Sequence, residues 1–133
     1  MKVPFFDLKK QYFSIKEEIA STLKSVFEDS AYSDGKYVAE FEKNFAAFCS
    51  TKYAIGVNSG TSALHLALLS LGLSKDDEVI IPANTFISTA WAASYVGAQI
   101  VFVDCDPVTW QICPIKLEKS ITDKTKLIIG VHL

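Results

Sequence analysis

Residues 54 to 73, "AIGVNSGTSALHLALLSLGL", set a short apolar run, a cluster of small hydroxyl residues around Gly60 and a long apolar segment end to end. A helix that starts at this cluster leaves backbone N–H groups unpaired and carries a partial positive charge at its first turn. Gly60, Thr61 and Ser62 are small enough to let an anion reach those N–H groups, and two of them add hydroxyl donors. The same residues also suit a plain cap, in which Ser59 or Thr61 accepts a hydrogen bond from the helix it precedes, so both readings stand at this point. Two common nucleotide motifs are excluded. "GVNSGTS" lacks the lysine of G-x-x-x-x-G-K-[ST], and G-x-G-x-x-G does not occur.

Two further turns carry side chains suited to chemistry. "IIPANTFISTAW" closes an apolar run at Pro82 and presents Asn84, Thr85 and Phe86. Phe86 suits stacking on a planar ring, a contact of about 0.5–1.5 kcal/mol beyond area burial, although a phenylalanine taken alone more often fills a core position. "VDCDPVTWQI" offers Asp104 and Asp106 around Cys105, with Asp106-Pro107 reading as turn chemistry. His65, inside an apolar helix, reads as a half-buried structural histidine, and His132 ends the last strand with no evident partner. With these two histidines, no C-x-x-C and no H-E-x-x-H, no metal site is expected. There is no G-x-S-x-G elbow for a hydrolase.

The elements that must position these turns follow from hydrophobic period. Tyr12, Ile15, Ile19, Leu23 and Val26 recur at three and four over residues 9–28, an amphipathic helix whose stripe must dock on something. After turn chemistry at Ser33, Asp34 and Gly35, a second helix repeats the pattern with Val38, Phe41, Phe45 and Phe48, and its three phenylalanines read as core. Apolar runs at 54–57, 78–81, 99–103 and 126–131 then alternate with helical stretches near 61–71, 86–96 and 114–121. This β-α-β-α-β-α-β order, with strands apolar on both faces, predicts an α/β fold with a parallel sheet covered by helices. Gly72 and Gly97 stand where left-handed caps belong, and Pro114 can open a helix. Ligands of such sheets bind beyond the carboxyl ends of the strands, where the three turns lie.

Composition sets outer bounds. Half of the 133 residues are hydrophobic and 21% are charged, which is globular composition. The net charge of −2, the absence of arginine and the dispersed lysines give no basic patch, so no nucleic acid partner is expected. No apolar run approaches the roughly 18 residues of a membrane span and no leader follows the first lysine, so no membrane association is expected. Cys49, Cys105 and Cys113 are odd in number and unpaired in spacing, which fits free thiols in the cytoplasm.

Four passages, "PFFDLKKQY", "FEKNFAAFC", "GVNSGTSALHLALLSLGLSKDDEVIIPANTFISTAWAASYVGAQIVFVDCDP" and "SITDKTKLIIGVHL", resemble in collinear order the DegT/DnrJ/StrS-type sugar aminotransferases, which use pyridoxal phosphate (PLP). The resemblance implies an aspartate-aminotransferase-like, fold type I large domain with a mostly parallel sheet, here incomplete. Residues 1–30 are then an N-terminal arm and helix, and 31–133 the first part of the PLP-binding domain. It implies that Gly60, Thr61 and Ser62 hold the cofactor phosphate and that Phe86 stacks on its pyridine ring. It implies a homodimer that transfers an amino group, from a donor such as glutamate, to a keto-sugar nucleotide in surface-polysaccharide or other sugar biosynthesis.

Such chemistry also needs a Schiff-base lysine and an acid paired with the pyridinium nitrogen. In the family both match positions beyond Leu133, so the catalytic residues are unknown in this chain, and the isolated chain is expected to be an inactive amino-terminal part. Related dehydratases carry histidine in place of that lysine, and a non-catalytic sensor module is a further alternative. Departures from the family pattern are small: "SKDDEVI" lacks a common glycine, and "QICP" puts Cys113 where an acid often precedes the proline.

Overall fold

The computed structural model describes residues 3–132 and divides the chain into two compact units, Met1–Gly56 and Val57–Leu133.

In the first unit, α1 (Leu8–Glu28) begins at Asp7, whose carboxylate accepts from the Lys10 N–H at 3.1 Å. α2 (Lys36–Phe48) follows a corner in which Asp29 accepts a hydrogen bond from the Tyr37 hydroxyl and pairs with the Lys36 ammonium. Both helices lie where the period places them, but their apolar stripes are not core. No residue of α1 is buried, and in α2 only Ala46 is. Phe41, Phe45 and Phe48 are largely exposed and touch one another, Phe41 stacked on Phe45 at 5.5 Å and Phe48 tilted against Phe45 at 6.3 Å between ring centroids. A repeat of three and four residues specifies a helix face, whereas burial needs a second surface, which the period of one helix does not encode.

The second unit is the α/β layer. Its strands β1 (Glu78–Pro82), β2 (Gln99–Val103) and β3 (Thr125–Ile128) form one sheet in the order β2-β1-β3, with both pairings parallel. The expected first strand at 54–57 is a correction: this segment is irregular, and its Gly56 N–H donates to Glu42 Oε1 of α2 at 2.7 Å. A strand is defined by its neighbour, and no described residue supplies a ladder for this run. β3 ends at Ile128, short of the expected 131, although the Ile129 N–H still donates to the Ile80 carbonyl at 2.9 Å.

The helices of this unit are α3 (Gly60–Ser70), α4 (Ser88–Tyr95) and α5 (Pro114–Ser120). Gly72 and Gly97 follow the first two with φ of 67° and 79°, the left-handed region that suits glycine after a helix. Pro114 opens α5, and Cys113 makes no side-chain cap there, as its weak acceptor sulfur leads one to expect. Val79 and Ile81 point from β1 into a core shared with Leu68 of α3 and with Ala90, Ala92 and Ala93 of α4. The alanines let α4 lie close to the sheet. Glu78 ties β1 to the start of β3, accepting from the Thr122 hydroxyl at 2.6 Å.

Candidate functional site

Because both ladders are parallel, β1, β2 and β3 end on the same sheet edge. That edge carries Asn84–Phe86 after β1, Asp104 and Cys105 after β2, and Gly130–His132 after β3. The start of α3 belongs to it as well. Leu71, Gly72 and Leu73, just past the end of α3, line one hollow with Asp77 and Lys126 at the amino edge. Eleven helical residues span about 16 Å, close to the roughly 17 Å of a five-residue strand, so α3 runs back and sets Gly60 toward the carboxyl edge. The topology therefore brings the hydroxyl turn and the Phe86 turn to one side of the sheet.

The α3 turn decides between the two expected caps. Ser59, in extended backbone, is the N-cap: its Oγ accepts from the Ser62 N–H at 3.1 Å and donates to Ser62 Oγ at 3.1 Å. Thr61 is not a cap. The N–H groups of Gly60 and Thr61 have no acceptor among the described residues, and a Cβ built on Gly60 meets nothing within 4 Å. The turn thus offers two adjacent open N–H donors at a positive helix end, flanked by the Thr61 and Ser62 hydroxyls. This donor set is what a phosphate needs. The Ser62 N–H, by contrast, is already taken.

Phe86 lies just before α4, with 73% of its surface exposed in this chain. Its backbone is held closely. The Thr89 N–H donates to the Phe86 carbonyl at 3.1 Å, and Thr85 Oγ1 lies 2.8 Å from Thr89 Oγ1. Ser88 and Thr89 are buried, a feature that no motif announced, although hydroxyl residues four apart at a helix start were the available signal.

The remaining residues singled out in the sequence are structural or peripheral. Asp106 Oδ1 accepts from the Thr109 N–H at 2.8 Å and the Val108 N–H at 3.0 Å, which holds its carboxyl below the usual range and confirms the turn. It closes a small hairpin in which Cys105 faces Ile112 and Trp110 takes φ of 59°. Asp104 pairs with Lys116, and this hydrogen bond, then that from the Cys105 N–H, depresses its pKa. His65 is half-buried with its ring edge against Tyr95, 5.2 Å between centroids, and His132 is exposed. Cys49, Cys105 and Cys113 are free thiols. Among the described residues no three His, Cys, Asp or Glu side chains cluster as metal ligands, and no helix is long and apolar enough to cross a membrane.

Comparison with known proteins gives this arrangement a context. The model of the DegT/DnrJ/EryC1/StrS aminotransferase family matches residues 13–133. The chain is 44% identical over 133 residues to a pleiotropic regulatory protein of Geobacillus stearothermophilus, covering 100% of this chain and 36% of that protein. It is 40% identical over 131 residues to a dTDP-3-amino-3,6-dideoxy-alpha-D-galactopyranose transaminase of Aneurinibacillus thermoaerophilus, covering 98% and 36%. Among solved structures, NtdA from Bacillus subtilis with bound cofactor PMP superposes with a TM-score of 0.90 at 39% identity, covering 99% of this chain and 31% of that one. The chain spans about a third of the length of the curated relatives it matches.

Proposed function

The chain belongs to the DegT/DnrJ/EryC1/StrS aminotransferase family, and from that premise we propose that it supplies the phosphate-holding turn and one ring-stacking face of a PLP-dependent enzyme. That enzyme moves an amino group, from a donor such as glutamate, to a keto-sugar nucleotide. The observation that carries this reading is the pair of open N–H groups at Gly60 and Thr61, set on the same sheet edge as the exposed ring of Phe86. A cytoplasmic homodimer is part of the same proposal, and the three free thiols support the compartment.

The residues divide the work by chemistry. Gly60 and Thr61 donate N–H bonds to phosphate oxygens, with the α3 dipole adding attraction. Ser62 contributes its hydroxyl alone, since Ser59 occupies its N–H. Ser59 fixes the first turn, so the donors are aimed before any ligand arrives. Phe86 covers one face of a planar ring and keeps water from it. PLP, when bound, supplies the electron sink for amine transfer. The lysine that would move protons at the substrate carbon is proposed to lie after Leu133, and this chain alone is proposed to be inactive.

Expression of the 133-residue chain beside the product of its full reading frame tests this. Both are incubated with PLP, reduced with borohydride and digested. The longer product should carry one pyridoxyl-lysine at a residue after Leu133 and aminate a keto-sugar nucleotide with glutamate. The short chain should show only scattered, substoichiometric labels among its lysines. Stoichiometric labelling of one lysine within residues 1–133 contradicts the proposal. A histidine at the downstream lysine position converts it to the dehydratase reading, and a reading frame that stops after Leu133 to the non-catalytic module.

A further inference from the structure

The geometry points to Thr89 as the residue that positions Phe86 for ring stacking, an inference that rests on the cofactor reading above. The Phe86 ring is 73% exposed and makes no ring contact with another aromatic residue among those described, so its placement depends on its backbone. That backbone is bracketed by one buried residue. Thr89, 5% exposed, meets Thr85 Oγ1 at 2.8 Å through its hydroxyl and donates its N–H to the Phe86 carbonyl at 3.1 Å. The preceding residue's side chain and the carbonyl of Phe86 itself are thereby tied to one anchor in the first turn of α4.

The usual alternative support is missing at this helix start. Ile87 occupies the N-cap position and has no side chain able to cap. The Thr85–Thr89 hydroxyl pair stands in its place, joining the turn to the helix. Thr89 itself is fixed by its neighbours Ala90, Ala92 and Ala93, which are packed into the core with Val79 and Ile81. The chain of support runs from the buried sheet through α4 to Thr89, then to the backbone of Phe86, and finally to the exposed ring. Thr89 is a positioning residue in this account, since it lies a turn away from the ring it controls.

Pyridoxamine phosphate is the probe, because it lacks the aldehyde that would react with the 13 lysines of the chain. Its fluorescence is titrated with the parent chain and with Thr89→Val, Thr89→Ser, Phe86→Ala and the Thr89→Val/Phe86→Ala double variant. Thr89→Val should weaken binding about threefold and Phe86→Ala about fivefold, the scale of a lost stacking contact. Thr89→Ser, which keeps the hydroxyl, should bind within about twofold of the parent. In the Phe86→Ala background Thr89→Val should have no further effect, and inorganic phosphate should bind parent and Thr89→Val alike. Thr85→Val, at the less buried partner, repeats the measurement if Thr89→Val does not fold. The inference is overturned if removal of the hydroxyl leaves pyridoxamine phosphate affinity unchanged, weakens inorganic phosphate equally, or acts without Phe86. A parent chain that binds no pyridoxamine phosphate overturns the cofactor reading as well, which separates the two failures.

Discussion

Thr61→Glu is expected to make α3 more stable by about 0.3–1 kcal/mol while weakening pyridoxamine phosphate binding at least about tenfold. The two effects share one cause. Thr61 is the second helical residue after the Ser59 cap, where a carboxylate lies against the positive helix end and the open N–H groups. An attached anion there takes the place of a bound one and repels what remains of the ligand's charge. If the small hydroxyl residues served only to start the helix, the substitution would produce the stability gain and nothing else. Urea unfolding and a fluorescence titration on the same sample separate the outcomes. A gain in stability with unchanged ligand affinity would reduce the turn to a cap.

The largest stability effect belongs to Ile81→Ala, expected to cost about 3–5 kcal/mol, toward the upper end of the range for such truncations. Ile81 is fully buried in the central strand, and much of what surrounds it is Ala90, Ala92, Ala93 and Ala98. Alanines have no rotamers with which to reach into the space left behind, and α4 is already close to the sheet. The cavity therefore stays open, which is the condition for a high cost. With a urea slope of about 1–3 kcal/mol/M, the urea midpoint should fall by roughly 1–5 M. Ile128→Ala, at a partly exposed position of β3, provides the contrast and should cost well under half as much. Equal effects at the two positions would mean that the β1–α4 interface is not the core of this unit.

Helix ends were legible in the sequence because their signals are local. Gly72, Gly97 and Pro114 act through their own backbone restrictions, and all three stand at the expected boundaries. Parallel pairing was also legible, since Val79, Ile80 and Ile81 form a run that is apolar on both faces and all three are buried. What failed depended on partners. Residues 54–57 have the apolar β-branched character of a strand but no ladder among the described residues, and Phe41, Phe45 and Phe48 form a stripe that stays largely exposed.

The candidate site divides in the same manner. Gly60, Thr61, Ser62 and Phe86 were singled out by residue type, position before a helix and family resemblance. The assignment of the cap to Ser59, which leaves Gly60 and Thr61 as the open donors, required hydrogen-bond geometry. Thr89 escaped notice because its one sequence signal, a threonine four residues after Thr85 at a helix start, is common, and its role emerges only with the two hydroxyls 2.8 Å apart.

The central claim, that the first turn of α3 receives the cofactor phosphate, is tested most directly by mapping backbone amide shifts. The ¹⁵N-labelled chain is titrated with pyridoxamine phosphate and, separately, with pyridoxamine lacking the phosphate. The account predicts that the Gly60 and Thr61 amides move most with the phosphorylated probe, that the Ser62 amide moves less, and that the unphosphorylated probe leaves Gly60 and Thr61 in place. Shifts centred instead on the lysine-bearing surface of Lys43 and Lys52, with Gly60 and Thr61 unmoved by either probe, would contradict it.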